Sequence, residues 1–338
     1  GFQNYDGATF SHIFFEAPML VAVCHHWPFL NFRTTNAEYN RPWDHIGFMA
    51  ASPDPSGFDG VYREFVGEDQ PMTRPAAVQA GACRQSSRRG QEPCGALQMD
   101  VTVAPGATAD PVVVVGMAND KADAARMRAK LATPAGADAA FAAVNNWWTE
   151  YLGRIRIDLP DRDITTFANG WNRYAMYTRY YHRVGVRDTA QDLAAFLPFD
   201  LDRVRARMQL IFEAQYQSGC ANHDVDRLAS PYHISINSDV PLWIPWITGK
   251  YVRESGDYAL LDRKFTYFDG GEGTAYEHCV KAIDYIRRES GRFGLPLLKC
   301  GDWNDCLMGS SKAGVSVWLA IFYHITLMEM VEIAGRTG

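Results

Sequence analysis

Several chemistries are missing from this chain. No Cys-x-x-C pair occurs among its seven cysteines, Cys24, Cys83, Cys94, Cys220, Cys279, Cys300 and Cys306. That spacing argues against a zinc ribbon or a redox dithiol, and the odd number against a closed disulfide framework. Reduced, mostly buried thiols in a cytoplasmic protein are the expectation, with no metal site. Nucleotide-type phosphate loops, a His-Glu-x-x-His pair and a serine nucleophile elbow are also absent. No basic stripe is present. Lys and Arg number 33 against 39 Asp and Glu, a net charge of −6, which disfavours nucleic acid as a partner. SSRR at 86–89 reads as a solvated loop. The opening GFQNYDGATF has neither a basic n-region nor an initiator Met, so no secretory leader is expected and a fragment is. The long apolar run at 315–334 is broken by His324, Glu329 and Glu332. It reads as a buried amphipathic helix rather than a membrane span.

What is present divides at about residue 120. The first part has strand periodicity. GALQMDVTVAPG alternates, with Leu97, Met99, Val101 and Val103 on one face and Gln98, Asp100 and Thr102 on the other. PVVVVGMA is a continuous apolar strand, and IFFEAPMLVAV and HIGFMAAS add more. SPDPSG, GEDQP and APGATADP separate them as turns. This is a β-sandwich pattern over 1–120. Helical spacing follows. Helices are predicted over 137–151, over 164–183, around Val204, Met208, Ile211, Phe212 and Gln215, over 242–254, over 276–288 and over 315–336. In the 276–288 helix, Tyr276, Cys279, Val280, Ile283 and Ile286 form the expected inward stripe. No convincing strand is read beyond about 155.

Three stretches crowd chemistry together. LPLLKCGDWNDCLMG carries Asp302, Trp303, Asn304 and Asp305 after a short apolar entry containing Pro296. A carboxyl beside a like charge and an indole has its protonated form favoured, which suits a general acid. A Trp offers a flat face for a sugar ring. Capping of a helix start by Asp or Asn explains the same spacing equally well. VGVRDTAQD places Arg187 beside Asp188, a five-donor fork next to an acceptor, suited to sugar hydroxyls or to a salt-bridged helix start. INSDVPLWIPW offers Ser238 and Asp239 as caps of a helix bearing Leu242, Trp243 and Trp246. His223, in GCANHD, is a candidate substrate contact or a satisfied loop histidine.

Taken in order, GVRDTAQD, NSDVPLW, YVRESGDYALLD, YEHCVKAIDY, GLPLLKCGDWNDCL and GVSVWLA resemble the inverting disaccharide phosphorylases of glycoside hydrolase family 94. That family includes cellobiose, chitobiose, cellodextrin and laminaribiose phosphorylases and the phosphorylase-like part of cyclic β-1,2-glucan synthases. GFDGVYREFVG through EPCGALQMDVTVAPG resembles its N-terminal sandwich. Two positions depart from the pattern: Val240 replaces the second acid of S-D-D or N-D-D, and Val315 replaces the Glu of G-E-S-V-W.

The resemblance implies a multidomain β plus α protein: a partial β-sandwich at 1–120, a helical linker at 121–160, and the first part of an (α/α)6 barrel at 161–338. It implies Asp305 as general acid. Trp303, Asn304, Arg187, Asp188, Asp239 and His223 would contact the sugar, and Arg183 is the candidate for phosphate. No cofactor is implied beyond phosphate as co-substrate; the other partners are a β-linked disaccharide or oligosaccharide and a second copy in a homodimer. An inverting hydrolase on the same barrel needs a second carboxylate. A non-catalytic carbohydrate-binding remnant is the third reading, since a partial helical toroid leaves apolar faces exposed.

Overall fold

The computed structural model describes residues 11–24, 45–88, 90–180, 185–225, 237–305 and 313–337. They divide into two compact units, 1–150 and 151–338.

In the first unit, β1 (Ser11–Glu16), β2 (Met19–Cys24), β3 (Ile46–Ser52) and β6 (Val112–Ala118) form an antiparallel sheet in the order β1-β2-β3-β6. The Ala17-Pro18 turn splits the apolar run at 13–23 into a hairpin. β4 (Gly57–Val61) pairs with β5 (Pro93–Gln98) in a second, two-stranded sheet. Phe15 of β1 stacks on Phe58 of β4, tying the two sheets together. Two short helices, α1 (Tyr62–Val66) and α2 (Ala76–Ala80), interrupt the strands. The alternation read through Val103 stops early. β4 begins at Gly57, opposite Gln98, so residues 99–103 have no ladder to join among the described residues, and Val101 and Val103 are exposed. The helix α3 (Lys121–Leu131), capped by Asp120, lays Ala124 and Met127 on a core of Met19, Phe48, Ala50 and Ala118. α4 (Pro134–Gly153) follows.

The second unit is mainly helical. α5 (Arg162–Thr166) runs through a π turn (Phe167–Trp171) into α6 (Asn172–Tyr180). Then come α7 (Val186–Phe196), α8 (Leu201–Glu213), α9 (Trp243–Ser255), α10 (Ala275–Arg288) and α11 (Val317–Thr337). α7, α9 and α11 pack side by side as one row, and α6, α8 and α10 pack on it as a second. The core is Leu193, Phe196, Met208, Ile211, Phe212, Ile244, Ile247, Ile286 and Leu319. Local chemistry sets the helix ends. Thr274 and Glu277 form a reciprocal capping box at α10, and Gly256, at φ +68°, ends α9 in the left-handed region. Two three-residue strands, β7 (Lys264–Thr266) and β8 (Glu272–Thr274), lie where none was expected.

Two helix faces differ from expectation. The buried stripe of α10 is Ala275, His278, Cys279, Ala282 and Ile286, while Val280 faces outward. Cys279 and Ile286 are buried as their spacing predicts, but the inward face is turned toward Ala275, His278 and Ala282, which leaves Tyr276 and Ile283 half-buried. α11 packs Leu319, Phe322, Thr326, Glu329, Met330 and Ile333 inward, and Glu329 pairs with Arg253 of α9. Its other face, Val317, Ile321, Ile325, Met328 and Val331, is exposed yet apolar. α11 is therefore long and apolar enough to cross a membrane by length and composition, and it is amphipathic only in part.

His278 is fully buried. Its ring stacks on Tyr267 at 4.1 Å, lies edge-on to Phe212, and places Nε2 3.3 Å from the Phe265 carbonyl. Desolvation, aided by Lys281 and opposed by the Phe265 carbonyl and Glu277, pushes its pKa down to about 4. The folded state therefore refuses a proton that the unfolded chain accepts. Stability is complete above the unfolded value of about 6.5 and is lost as pH falls toward 4, by up to roughly 3 kcal/mol. Chemical denaturation of His278→Phe at neutral pH and near pH 4 should show a smaller acid-induced loss than wild type. An equal loss would assign the acid sensitivity to other groups.

Candidate active site

The three chemistry-bearing stretches, distant in sequence, meet at one place. Segment 237–239 is stitched to 298–301: Asn237 bridges Lys299, Ser238 N–H donates to the Gly301 carbonyl at 2.9 Å, and the Ser238 hydroxyl reaches the Leu298 and Gly301 carbonyls at 3.0 Å. Lys299 adopts φ +54°, a left-handed turn that redirects the chain into Gly301. The start of α7 supplies Arg187, and the backbone of 223–224 holds that start: Val186 N–H donates to the His223 carbonyl at 2.9 Å.

Asp302 and Asp305 differ sharply. Asp302 is 5% exposed. Its Oδ1 accepts the Asn304 N–H at 2.9 Å and its Oδ2 the Ser316 hydroxyl at 2.5 Å, while Ser316 Oγ accepts Leu319 N–H at the start of α11. Asp302 is a structural acid that shapes the loop. The Asp305 side chain is 62% exposed. Arg187 Nη2 donates to its two oxygens at 2.9 and 3.1 Å, and Asn237 Nδ2 donates to Oδ1. The same two donors also reach the Asp302 carbonyl, Arg187 Nη1 at 3.2 Å and Asn237 at 3.0 Å. Trp303, between the two acids, is 53% exposed.

Arg187 thus faces two carboxylates. Nη1 lies 3.4 Å from Asp239 Oδ2, which also accepts the Trp243 indole N–H at 2.9 Å. Asp239 has no exposure. Its side chain does not cap the helix that follows, and it meets the site through Arg187. Burial raises its pKa against the pull of Trp243 and Arg187. At Asp305 the balance reverses. Partial desolvation raises its pKa, but Arg187, Asn237 and His223 together outweigh this and hold it below the ordinary value. The expectation that Asp302 and Trp303 would favour a protonated Asp305 is therefore corrected. Asp302 is turned into its own hydrogen bonds, and the nearest strong charge is a cation.

Asp188 is half-buried in the first turn of α7, its Oδ2 lying against Gly185. Asn304 is exposed, and Arg183 lies outside the described residues. Among the described residues no group of three or more His, Cys, Asp or Glu is placed to hold a metal. Asn237 and Ser316 were not singled out from the sequence. Their partners lie 68 and 14 residues away, so no local spacing marks them.

An exposed carboxylate held by Arg187 and Asn237 thus lies two residues along the chain from the exposed Trp303. Family comparison supplies the class. Residues 147–338 match the catalytic domain of the glycosyl hydrolase 94 superfamily and 14–134 match the glycosyl hydrolase 94 supersandwich domain. The chain belongs to this family. It is 27% identical over 86% of its length to the N,N'-diacetylchitobiose phosphorylase of Vibrio proteolyticus, covering 41% of that protein. It is 32% identical over 85% of its length to the solabiose phosphorylase of Paenibacillus borealis, covering 38%. A third relative is the cyclic beta-(1,2)-glucan synthase NdvB of Rhizobium meliloti, 28% identical over 85% of this chain and 11% of that protein. The chain thus spans about two fifths of the two phosphorylases.

Proposed function

We propose that this protein takes part in inverting phosphorolysis of a β-linked gluco-disaccharide or oligosaccharide, giving an α-sugar 1-phosphate and a shortened acceptor. Asp305 is the general acid, and the observation that carries this is its exposed, Arg187-held carboxylate next to exposed Trp303. An inverting hydrolase needs two carboxyls, because water must be deprotonated. Phosphate is already an anion, so one protein acid suffices. A phosphate oxygen attacks the anomeric carbon from the face opposite the leaving group. The glycosidic C–O bond breaks, and the proton of Asp305 passes to the departing oxygen.

Held by Arg187, Asp305 is ionised when no sugar is bound. Sugar hydroxyls that take the guanidinium and the Asp188 carboxylate release Asp305, and the apolar sugar face against Trp303 excludes water. Both changes raise its proton affinity where the proton is needed. Arg183 is the candidate phosphate contact, the two helix rows are the first part of an (α/α)6 barrel, and the domain limits are those read from the sequence. The cysteine spacing supports a cytoplasmic setting.

The test is incubation with cellobiose, laminaribiose, sophorose or chitobiose, with and without inorganic phosphate. Phosphate-dependent sugar 1-phosphate is the expected product. Free sugar formed without phosphate would replace this reading with a hydrolase.

A further inference from the structure

Asp239 is a fully buried carboxylate with one oxygen, Oδ1, that has no hydrogen-bond partner among the described residues. Such a group is costly to keep and is neutralised or paired unless the fold uses it. Its other oxygen is shared between the Trp243 indole at 2.9 Å and Arg187 Nη1 at 3.4 Å. The second arm of the same guanidinium, Nη2, lies on both oxygens of Asp305. One cation therefore serves two anions, one buried and the other exposed. Trp243 competes with Arg187 for the buried one.

We propose that Asp239 is a positioning residue for the acid: it anchors one arm of Arg187 and so governs how firmly the other arm holds the Asp305 carboxylate. This rests on the reading of Asp305 as general acid. Among the described residues, four other polar groups surround the pair. Asp188 follows Arg187 on α7, and His223 adds positive character toward Asp305. Asn237 donates to Asp305, and the Asp302 carboxylate is occupied by Ser316 and Asn304. Asp239 and Trp243 set the tension on Arg187 from behind.

Two substitutions pull that tension in opposite directions. Asp239→Asn removes the buried anion, so the guanidinium is left to Asp305 and a nearby negative charge is lost. Trp243→Phe keeps the anion but withdraws its indole donor, so Asp239 draws Arg187 away from Asp305. The packing of Trp243 against Trp246 and Phe322 is aromatic and accepts a phenyl ring. The experiment is a carboxyl-carbon NMR titration of protein labelled at aspartate, with the Asp305 resonance identified by its loss in Asp305→Asn. The titration midpoint of Asp305 should move to lower pH in Asp239→Asn and to higher pH in Trp243→Phe. A residue with a merely structural role would lower the melting temperature and leave the midpoint in place. Coincident midpoints, or shifts of the same sign, would overturn the proposal. Should Asp239→Asn fail to fold, the Trp243→Phe titration decides alone, with an upward shift required. The acid reading is judged separately, by whether Asp305→Asn still forms sugar 1-phosphate. That result can fail while the titration still settles the role of Asp239.

Discussion

On the proposed reading of Asp305 as general acid, replacing it with Asn should reduce phosphorolysis by at least about 100-fold, and by up to roughly 10,000-fold, the range that a positioned general acid supplies. The fold should survive, because the side chain is largely exposed and its partners have others: Arg187 retains Asp239 and the Asp302 carbonyl, and Asn237 retains that carbonyl. The comparison that isolates proton donation uses two donors with the same sugar. One is the natural disaccharide, whose sugar leaving group must be protonated. The other is the corresponding glycosyl fluoride, whose leaving group demands far less help. If Asp305 is the acid, the variant loses the first reaction and keeps much of the second. Equal losses on both donors would mean that Asp305 positions the sugar rather than protonating it.

Arg187→Met is the second large effect, and it is expected in stability as well as activity. The arginine side chain is 10% exposed and that of its partner Asp239 has no exposure. Methionine fills the stem but leaves a buried carboxylate without its cation, a loss of about 3 to 5 kcal/mol for a broken buried pair. The loss should depend on pH, with a definite sign. Burial already raises the Asp239 pKa in the folded protein, and loss of Arg187 raises it further. Between the ordinary carboxylate range and this raised value, the folded state binds more protons than the unfolded chain. Stability therefore falls as pH rises through that window, and the variant should recover part of its deficit on acidification. Urea denaturation of both proteins at neutral pH and near pH 5 reads this directly. A deficit that stays constant or grows with acid would show that Asp239 is not the group left unpaired.

Much of the helical unit was legible because its helices are amphipathic at a period the chain states openly: Val204, Met208, Ile211 and Phe212 are buried in α8 as their spacing predicts. The phase of α10 was not, since His278 and Ala282 carry too little hydrophobic signal to mark an inward face. The strand end at Gln98 was missed for a different reason. Alternation continues through Val103, but a strand also needs a neighbour, and β4 supplies none there. In the site, the residue types of GDWND drew attention to a loop that the structure brings together with Arg187 and Asn237. What spacing could not reveal is which acid faces solvent. Asp302 and Asp305 look equivalent in sequence, and Ser316 and Asn237 make them opposites.

The amino-acid sequence by itself determined the family, the order of a β-sheet part and a helical part, and the short list of residues able to do chemistry. All of these are local patterns or motifs in fixed order. Tertiary structure alone decided the surroundings of each residue on that list. It turned Asp302 inward and Asp305 outward, buried Asp239 beyond contact with solvent, and brought Arg187 between two carboxylates 52 and 118 residues away. Charge state follows from those distances, because the proton affinity of a carboxyl depends on which cation and how much water lie within a few ångströms.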